Sequence, residues 1–183
     1  MNKFVFTGGP CSGKTKVLNK LNKQGFHALR ETAKGIVAKR RDIPMTKEES
    51  DIRQELIFKT QFAKEKRAER MNYHLLFLDR CLIDGLGYSL LYAGEKSIEK
   101  YIPFVEKQRY NSVFLFELLD FDSEGFRAEK DKGEARRIEE SIYTIYKRFG
   151  YDPIYVPKMS LNKKESINKR LDFVLGKVFD RSG

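Results

Sequence analysis

The chain has 183 residues, of which 40% are hydrophobic and 34% charged, which is typical of one globular domain and excludes a disordered or fibrous protein. It has no apolar run of the roughly 18 to 20 residues that span a bilayer and no signal-peptide core, so we expect a cytoplasmic protein without membrane contact. The formal net charge of +10 favours polyanionic ligands such as nucleotides or RNA, with a merely solvated basic surface as the alternative. We expect residues 1–183 to form a single domain.

The first part of the chain alternates apolar segments with glycine-containing breaks. Residues 3–6 are apolar-rich and are followed by glycines and then by apolar residues at helical spacing, a pattern that predicts a strand, a loop and a helix. Residues 26–29 follow the stop at Gly25 and predict a second strand, and residues 31–41 have a helix-like composition. Glu31 is therefore expected at the carboxyl end of a strand.

A long helix is predicted next, ending near Met71. Thr46 and Glu49 match the TxxE capping box that begins many helices. The helix is expected to carry an apolar face formed by Ile52, Leu56 and Ala63.

Three further apolar segments predict the remaining strands. Residues 74–78 (HLLFL) form a continuous apolar run, which is typical of a central parallel strand, and residues 112–118 and 153–156 predict two more. Helical spacing between and after these strands predicts an α/β fold: a five-stranded parallel sheet with helices on both faces. Ligands of such sheets bind at the carboxyl ends of the strands, where Asp79 is expected.

The segment TGGPCSGKT contains the pattern GxxxxGKT between the first predicted strand and helix. Its glycines allow main-chain N–H groups to approach phosphates, Lys14 can reach the β and γ phosphates, and Thr15 can offer its hydroxyl to Mg²⁺. The pattern therefore predicts a P-loop that binds ATP or another nucleoside triphosphate together with Mg²⁺. The predicted nucleotide-binding residues are Gly8, Gly9, Pro10, Cys11, Ser12, Gly13, Lys14 and Thr15.

A Mg²⁺ ion in a P-loop fold also needs a carboxylate at the end of a neighbouring strand. Asp79 has that position, and Thr15 and Asp79 are therefore the predicted metal ligands. The alternative is that Asp79 serves only as the N-cap of a helix that begins at Leu82.

Several motifs also resemble known families. The stretch LFLDRCLIDGLGY at 76–88 resembles the strand and Asp-Arg motif of thymidylate and deoxynucleoside kinases. The order of parts is similar too, with an acid after the second strand and an arginine-rich lid at about 120–137. Nearly the whole chain is similar to an AAA-type ATPase family related to the nicotinamide riboside kinase domain, through TGGPCSGKT, LDRCLIDGLGY, EGFR, EARRI and FGYDPIYVP.

The resemblance implies roles for individual residues. Asp79 would hold Mg²⁺ or orient the attacking group, and Arg80 would contact the transferred phosphate. Glu31 matches the carboxylate that accepts the proton of the acceptor hydroxyl, although Thr32 stands where that motif often has proline. The alternative for Glu31 is an acid at a helix start, favoured by the helix dipole.

The predicted lid offers arginines that could neutralise charge on a transferred phosphate. Arg127, Arg136 and Arg137 are the candidates. Adjacent helical residues point about 100° apart, so at most one of Arg136 and Arg137 is expected to face the phosphates. The alternative is that this pair lies on an exposed helix face and pairs with Glu139 and Glu140.

Weaker predictions concern the pockets for the acceptor and the base. Tyr88 and Tyr92, close to the Asp-Arg motif, are candidates for lining an acceptor pocket. By resemblance, the loop of residues 157–159 is expected to contact the base of the nucleotide.

Together these observations predict an ATP-dependent, Mg²⁺-requiring phosphotransferase, a kinase acting on a small hydroxyl acceptor such as a nucleoside or nucleotide. Its catalytic residues would be Lys14, Asp79, Arg80, Arg127, Arg136 and Glu31. Two other classes stay open. One is an NTPase that couples hydrolysis to a partner, and the other is a nucleotide-dependent RNA-binding module, which the basic charge favours.

Overall fold

The computed structural model describes residues 1–44, 46–119 and 132–180. Within these ranges each strand is followed by one or more helices before the next strand begins. The strands are Asn2–Thr7 (β1), His27–Leu29 (β2), Leu75–Asp79 (β3), Ser112–Phe116 (β4) and Ile154–Val156 (β5). The α-helices are Lys14–Lys23 (α1), Ala33–Lys39 (α2), Lys47–Arg70 (α3), Leu82–Ala93 (α4), Ile102–Val105 (α5), Lys132–Arg148 (α6) and Lys163–Phe179 (α7). None of these helices is both long and apolar enough to cross a membrane.

The strands form one parallel sheet in the order β2-β3-β1-β4-β5. The central strand β1 is buried on both sides: Val5 belongs to the core that contains residues of α3, α4 and α6, and Phe6 to the core that contains residues of α1 and α7. Successive residues of a strand point to opposite faces, so one short apolar strand contributes to both cores. The predicted α/β class and five-stranded parallel sheet, with helices on both faces, are confirmed.

The pairing of β1 with β3 and β4 sets the edge at which the site forms. Phe6 is in register with Asp79, and the N–H of Arg80 donates to the Phe6 carbonyl at 3.0 Å. The carboxyl ends of parallel strands lie at one edge of a sheet, so the residues that follow β1 and β3 are neighbours. The predicted position of Asp79, as the last residue of its strand, is confirmed.

The turn after β1 requires glycine at two positions. Gly8 has a φ of 121°, and a Cβ placed there would lie 2.5 Å from the carbonyl oxygen of Phe116. Gly13, the N-cap of α1, has a φ of 82°. Both positions lie in the left-handed region that favours glycine, so the backbone path of this loop depends on them.

The start of α3 is confirmed and its predicted apolar face is wrong. The Thr46 hydroxyl accepts a hydrogen bond from the N–H of Glu49 at 3.1 Å, as expected of an N-cap. However, Ile52 and Leu56 are 39% and 38% exposed, and Ala63 is also exposed.

The buried face of α3 is largely polar. Glu49 accepts hydrogen bonds from Arg40 and Arg53, and Gln61 donates to Glu65 at 2.8 Å. Polar groups can be buried at little cost when they are paired with one another. Apolar spacing could not reveal this face, because most of the residues that pack inward are charged or amide side chains.

Candidate functional site

The loop between β1 and α1 surrounds the ammonium group of Lys14, which is buried. Its Nζ donates to the carbonyl of Gly9 at 2.7 Å, to the hydroxyl of Ser12 at 2.7 Å and to the carbonyl of Gly8 at 3.2 Å. Burial, followed by repulsion from Arg80, lowers the pKa of Lys14 to about 8. The lysine is therefore held by neutral acceptors of its own loop, and none of these three bonds neutralises its charge.

The predicted metal ligands Thr15 and Asp79 lie side by side. The Thr15 hydroxyl donates to Oδ2 of Asp79 at 2.6 Å, and the other carboxylate oxygen, Oδ1, is buried without a hydrogen-bond partner among the described residues. Burial raises the pKa of Asp79, partly offset by the attraction of Lys14. A buried oxygen without a donor, next to a hydroxyl, fits a hard cation that binds oxygen ligands.

Asp79 is not the cap of the following helix. The N-cap of α4 is Cys81, whose main-chain N–H bonds to the Asp84 carboxylate at 2.9 Å, while the Cys81 side chain accepts from the main chain of Asp84. These two residues form a capping box by themselves. The alternative role that we considered for Asp79 is therefore wrong.

Arg80 and Glu31 are brought together. Arg80 is 8% exposed and adopts a φ of 67°; its Nε donates to Oε1 of Glu31 and its Nη1 to Oδ1 of Asp84, both at 3.2 Å. The guanidinium also lies over the Tyr88 ring, 5.2 Å from its centroid. The Glu31 side chain is 20% exposed, so solvent or a ligand can still reach it.

Asp84 is a site residue that sequence patterns missed. It is 1% exposed, and besides Arg80 it binds the hydroxyls of Thr7 at 2.5 Å and Tyr146 at 2.6 Å. These contacts connect α4 with the end of β1 and with α6. In the sequence Asp84 follows Arg80 by four residues, but Arg80 precedes the N-cap of α4, so helical spacing alone does not indicate this contact.

Most of the predicted lid, including Arg127, lies outside the described residues. Arg136 and Arg137 belong to α6 and are both exposed. Ala135 on the same helix is buried, and a Cβ on Gly9 would lie 3.1 Å from its carbonyl oxygen, so α6 packs on the P-loop. A phosphate contact from any of the three arginines stays a prediction.

Glu139 of α6 reaches the P-loop. The sequence suggests Glu139 only as a partner for the neighbouring arginines, yet its Oε2 accepts a hydrogen bond from the N–H of Gly9 at 3.3 Å. Burial raises the pKa of this carboxyl group. A carboxyl group therefore occupies one main-chain N–H donor of the loop that is predicted to bind phosphates.

The two tyrosine candidates differ in position. Tyr88 lies against Arg80, as described above. Tyr92 is 52% exposed and donates to Glu134 at 2.8 Å. Tyr88 is therefore the one that contacts the Glu31–Arg80 pair.

Solved structures share this fold over nearly the whole chain. Deoxyadenosine kinase from M. mycoides, solved with dCMP and dCDP, matches with a TM-score of 0.71 at 13% identity, covering 97% of this chain and 99% of that one. Thymidylate kinase from Ehrlichia chaffeensis matches with a TM-score of 0.70 at 14% identity, covering 97% and 98%. The NadR protein in complex with NR matches with a TM-score of 0.68 at 14% identity, covering 94% of this chain and 48% of that one.

These structural neighbours are kinases or include a similar domain, and at such low identity they show the fold alone. A search of curated proteins finds no significant match. A family model described as an AAA domain matches residues 3–164, which span the P-loop, both Asp79 and Arg80, and the helix α6. The chain therefore belongs to this AAA domain family and has a P-loop kinase-like fold.

Proposed function

We propose that this protein is a Mg²⁺-dependent phosphotransferase that moves the γ-phosphate of ATP to the hydroxyl group of a nucleoside-like or nucleotide-like acceptor. The observation that carries the proposal is the Thr15–Asp79 hydrogen bond of 2.6 Å, with the unpartnered Oδ1 of Asp79, beside the buried ammonium of Lys14. The Glu31–Arg80 ion pair adjoins this group at the next strand end. The residues proposed to bind the triphosphate and the carboxylate proposed to accept a proton would thus be adjacent.

The triphosphate would bind in the loop of residues 8–13 and at the amino end of α1. Main-chain N–H groups at a helix start attract anions, and the helix dipole adds to that attraction. Lys14 would exchange its bonds to the loop for bonds to the β and γ phosphates. Since its present partners are neutral, this exchange separates no ion pair.

Thr15 and Asp79 would hold Mg²⁺. Bound there, the ion would neutralise charge on the phosphates during transfer. One carboxylate and one hydroxyl are few ligands, which suits Mg²⁺ because that ion keeps several waters and takes phosphate oxygens for the rest.

The transfer step requires in-line attack by the acceptor oxygen on the γ-phosphorus. The new bond joins that oxygen to phosphorus, and the bond from the γ-phosphorus to the bridging oxygen breaks, so that ADP leaves. The acceptor proton passes to Glu31. Arg80, with Arg127 or Arg136 from the segment after β4, would contact the transferred group.

The acceptor class is supported by the structural neighbours. Two of them are a deoxyadenosine kinase and a thymidylate kinase, and a third is a complex of NadR with NR. All three compound types carry a sugar hydroxyl or a phosphate next to a flat base. Tyr88, stacked on Arg80, offers an aromatic surface at this end of the site.

The test is a screen of nucleosides, nucleoside monophosphates and pyridine nucleosides with γ-labelled ATP and Mg²⁺. We expect one class to gain the label. We expect Lys14→Ala to reduce transfer by at least about 10²- to 10³-fold, as for removal of a group that stabilises transition-state charge. The matched control is Lys16→Ala, an exposed lysine of the same helix, which should leave transfer unchanged.

Two outcomes would contradict the proposal. Release of label only as free phosphate, with every acceptor, would indicate an NTPase. Absence of turnover, together with RNA binding that weakens steeply with salt, would indicate a nucleotide-dependent RNA-binding module.

A further inference from the structure

Arg170 of α7 has the largest side chain among those with less than 2% exposure, and none of the roles above uses it. Its guanidinium donates to three main-chain carbonyls: Ser12 at 2.7 Å, Pro157 at 2.7 Å and Glu117 at 3.1 Å. It also lies over the Phe116 ring at 5.7 Å. A planar fork of donors suits such a set of fixed acceptors.

The three carbonyls come from three different loops at the same edge of the sheet. Ser12 belongs to the P-loop, Glu117 follows β4, and Pro157 follows β5. These acceptors are neutral, so none of the three bonds neutralises the positive charge of Arg170 behind the phosphate loop, although the Glu117 carboxylate also attracts it. An arginine guanidinium stays protonated in proteins, even where burial lowers its pKa, as it does here.

The bond to Ser12 acts on the peptide that joins Ser12 to Gly13. In a planar trans peptide the C=O and the N–H point in opposite directions, so a donor that holds the Ser12 oxygen also sets the direction of the Gly13 N–H. Gly13 has a φ of 82°, a region where glycine has few steric restraints of its own. A charged donor on the carbonyl additionally polarises the peptide and strengthens its N–H as a donor.

Ser12 is also connected to Lys14, because its hydroxyl accepts from Nζ at 2.7 Å. Arg170 therefore bonds to Ser12, whose carbonyl belongs to the peptide before α1 and whose hydroxyl accepts from the lysine of the P-loop. Through Pro157 the same guanidinium reaches the loop after β5.

We infer that Arg170 is a positioning residue that orients the Ser12–Gly13 peptide for an anionic phosphate chain and joins this loop to the segment after β5. The inference rests on the proposed nucleotide binding and deepens it. Its ligand chemistry is a polyphosphate, with or without a base.

The experiment compares Arg170→Met and Arg170→Lys with the same changes at Arg53. Arg53 is an equally suitable buried arginine, 6% exposed, which bonds to Glu49 and to the carbonyls of Arg40 and Ile43 in another part of the protein. For each variant the Kd values for Mg²⁺·ATP and for inorganic tripolyphosphate are measured by calorimetry, and Tm is measured separately. Tripolyphosphate lacks a base and so reports on the phosphate loop alone.

We expect Arg170→Met to weaken both ligands by about tenfold or more, because hydrogen bonds from a charged group are lost. Arg170→Lys keeps the charge but cannot satisfy three carbonyls, so both Kd values should rise by a smaller factor. The Arg53 variants should lower Tm and leave both Kd values within about twofold. Should Arg170→Met fail to fold, the lysine variant alone supplies the comparison.

Unchanged Kd values in a folded Arg170→Lys or Arg170→Met variant would overturn the inference while leaving the proposed function intact. Loss of ATP affinity with unchanged tripolyphosphate affinity would also overturn it, since the effect would then lie on the base side. Failure of the wild-type protein to bind either ligand would overturn the proposed function itself.

Discussion

The proposed phosphate side and the proposed acceptor side of the site are built in opposite ways. On the phosphate side one continuous segment, residues 8–15, supplies both the loop and its lysine, and Lys14 bonds only to neutral atoms of that loop in the contacts described above. On the acceptor side Arg80 is held by two carboxylates, Glu31 and Asp84, which come from different elements. The first arrangement leaves the positive charge of Lys14 available for an anion, whereas the second neutralises the positive charge of Arg80.

This difference has a mechanistic consequence. Buried ion pairs are costly to break, because removing one partner leaves a charge without compensation. Lys14 can move to a phosphate without breaking an ion pair. Arg80 can contact a phosphate only if it keeps its ion pair with Glu31 or exchanges Glu31 for the phosphate. We therefore expect substitutions on the acceptor side to affect mainly the chemical step, and substitutions on the phosphate side to affect ligand affinity as well.

Among the substitutions that test this comparison, Glu31→Gln is expected to have the largest effect. Loss of a general base should lower kcat about 10²- to 10⁴-fold, while the Kd of Mg²⁺·ATP stays the same, since the amide oxygen can still accept from Arg80. Steady-state kinetics with the labelled acceptor and calorimetry with ATP measure the two quantities. Glu48→Gln, an exposed acid in the first turn of α3, is the matched control. A kcat within threefold of the wild-type value would contradict the general-base role of Glu31 and leave only its ion pair with Arg80.

Asp79→Asn should separate stability from function. Substitution of a residue that only supports a metal ligand already weakens metal binding about tenfold or more. Removal of a direct ligand is therefore expected to weaken Mg²⁺ binding at least about tenfold. The same change removes a buried charge whose Oδ1 has no partner among the described residues, so Tm without ligand should rise, by about 2 to 4 °C for each kcal/mol gained. Thermal melts with and without Mg²⁺·ATP test both parts. A lower Tm without ligand would show that Asp79 stabilises the fold.

The pH dependence of ATP affinity tests whether the Lys14 charge is available. Its pKa is lowered to about 8 by burial and by Arg80, against the attraction of Asp79, Glu31 and Asp84. Above that pH the free protein carries a neutral amine, so ATP affinity should fall as pH rises, by about tenfold per pH unit, until the pKa of the bound form is reached. Calorimetry between about pH 7 and about pH 9.5 measures this. Lys14→Arg should remove the inflection, and a flat profile in the wild type would contradict the prediction.

The smallest effect concerns Glu139, whose carboxyl group accepts a hydrogen bond from the N–H of Gly9 in the phosphate loop. Glu139→Gln removes a negative charge next to the N–H of Gly9, so the Kd of ATP should fall roughly twofold to fivefold, about what one partly screened charge contributes. Glu140→Gln, its exposed neighbour, should have no effect. Weaker binding in the Glu139 variant would indicate that this carboxylate supports the loop and does not compete with the phosphates.

Spacing in the sequence predicted some helices better than others. The residues Ile138, Ile142 and Ile145 of α6 recur at helical spacing and are all fully buried. In α3 the same rule selected exposed residues, because the inward face is polar. Apolar periodicity detects only burial that is driven by the hydrophobic effect, and it cannot detect polar groups that pair with each other inside the protein.

By itself the sequence determined the alternation of strands and helices, the P-loop and the place of Asp79 at a strand end. These features depend on residues within a few positions of one another, so their spacing contains the information. Only the tertiary structure decided that β3 lies beside β1, which brings Asp79 to Thr15, and that Arg80 pairs with both Glu31 and Asp84. Contacts between side chains distant in the chain depend on how whole elements pack, and no local pattern encodes that packing.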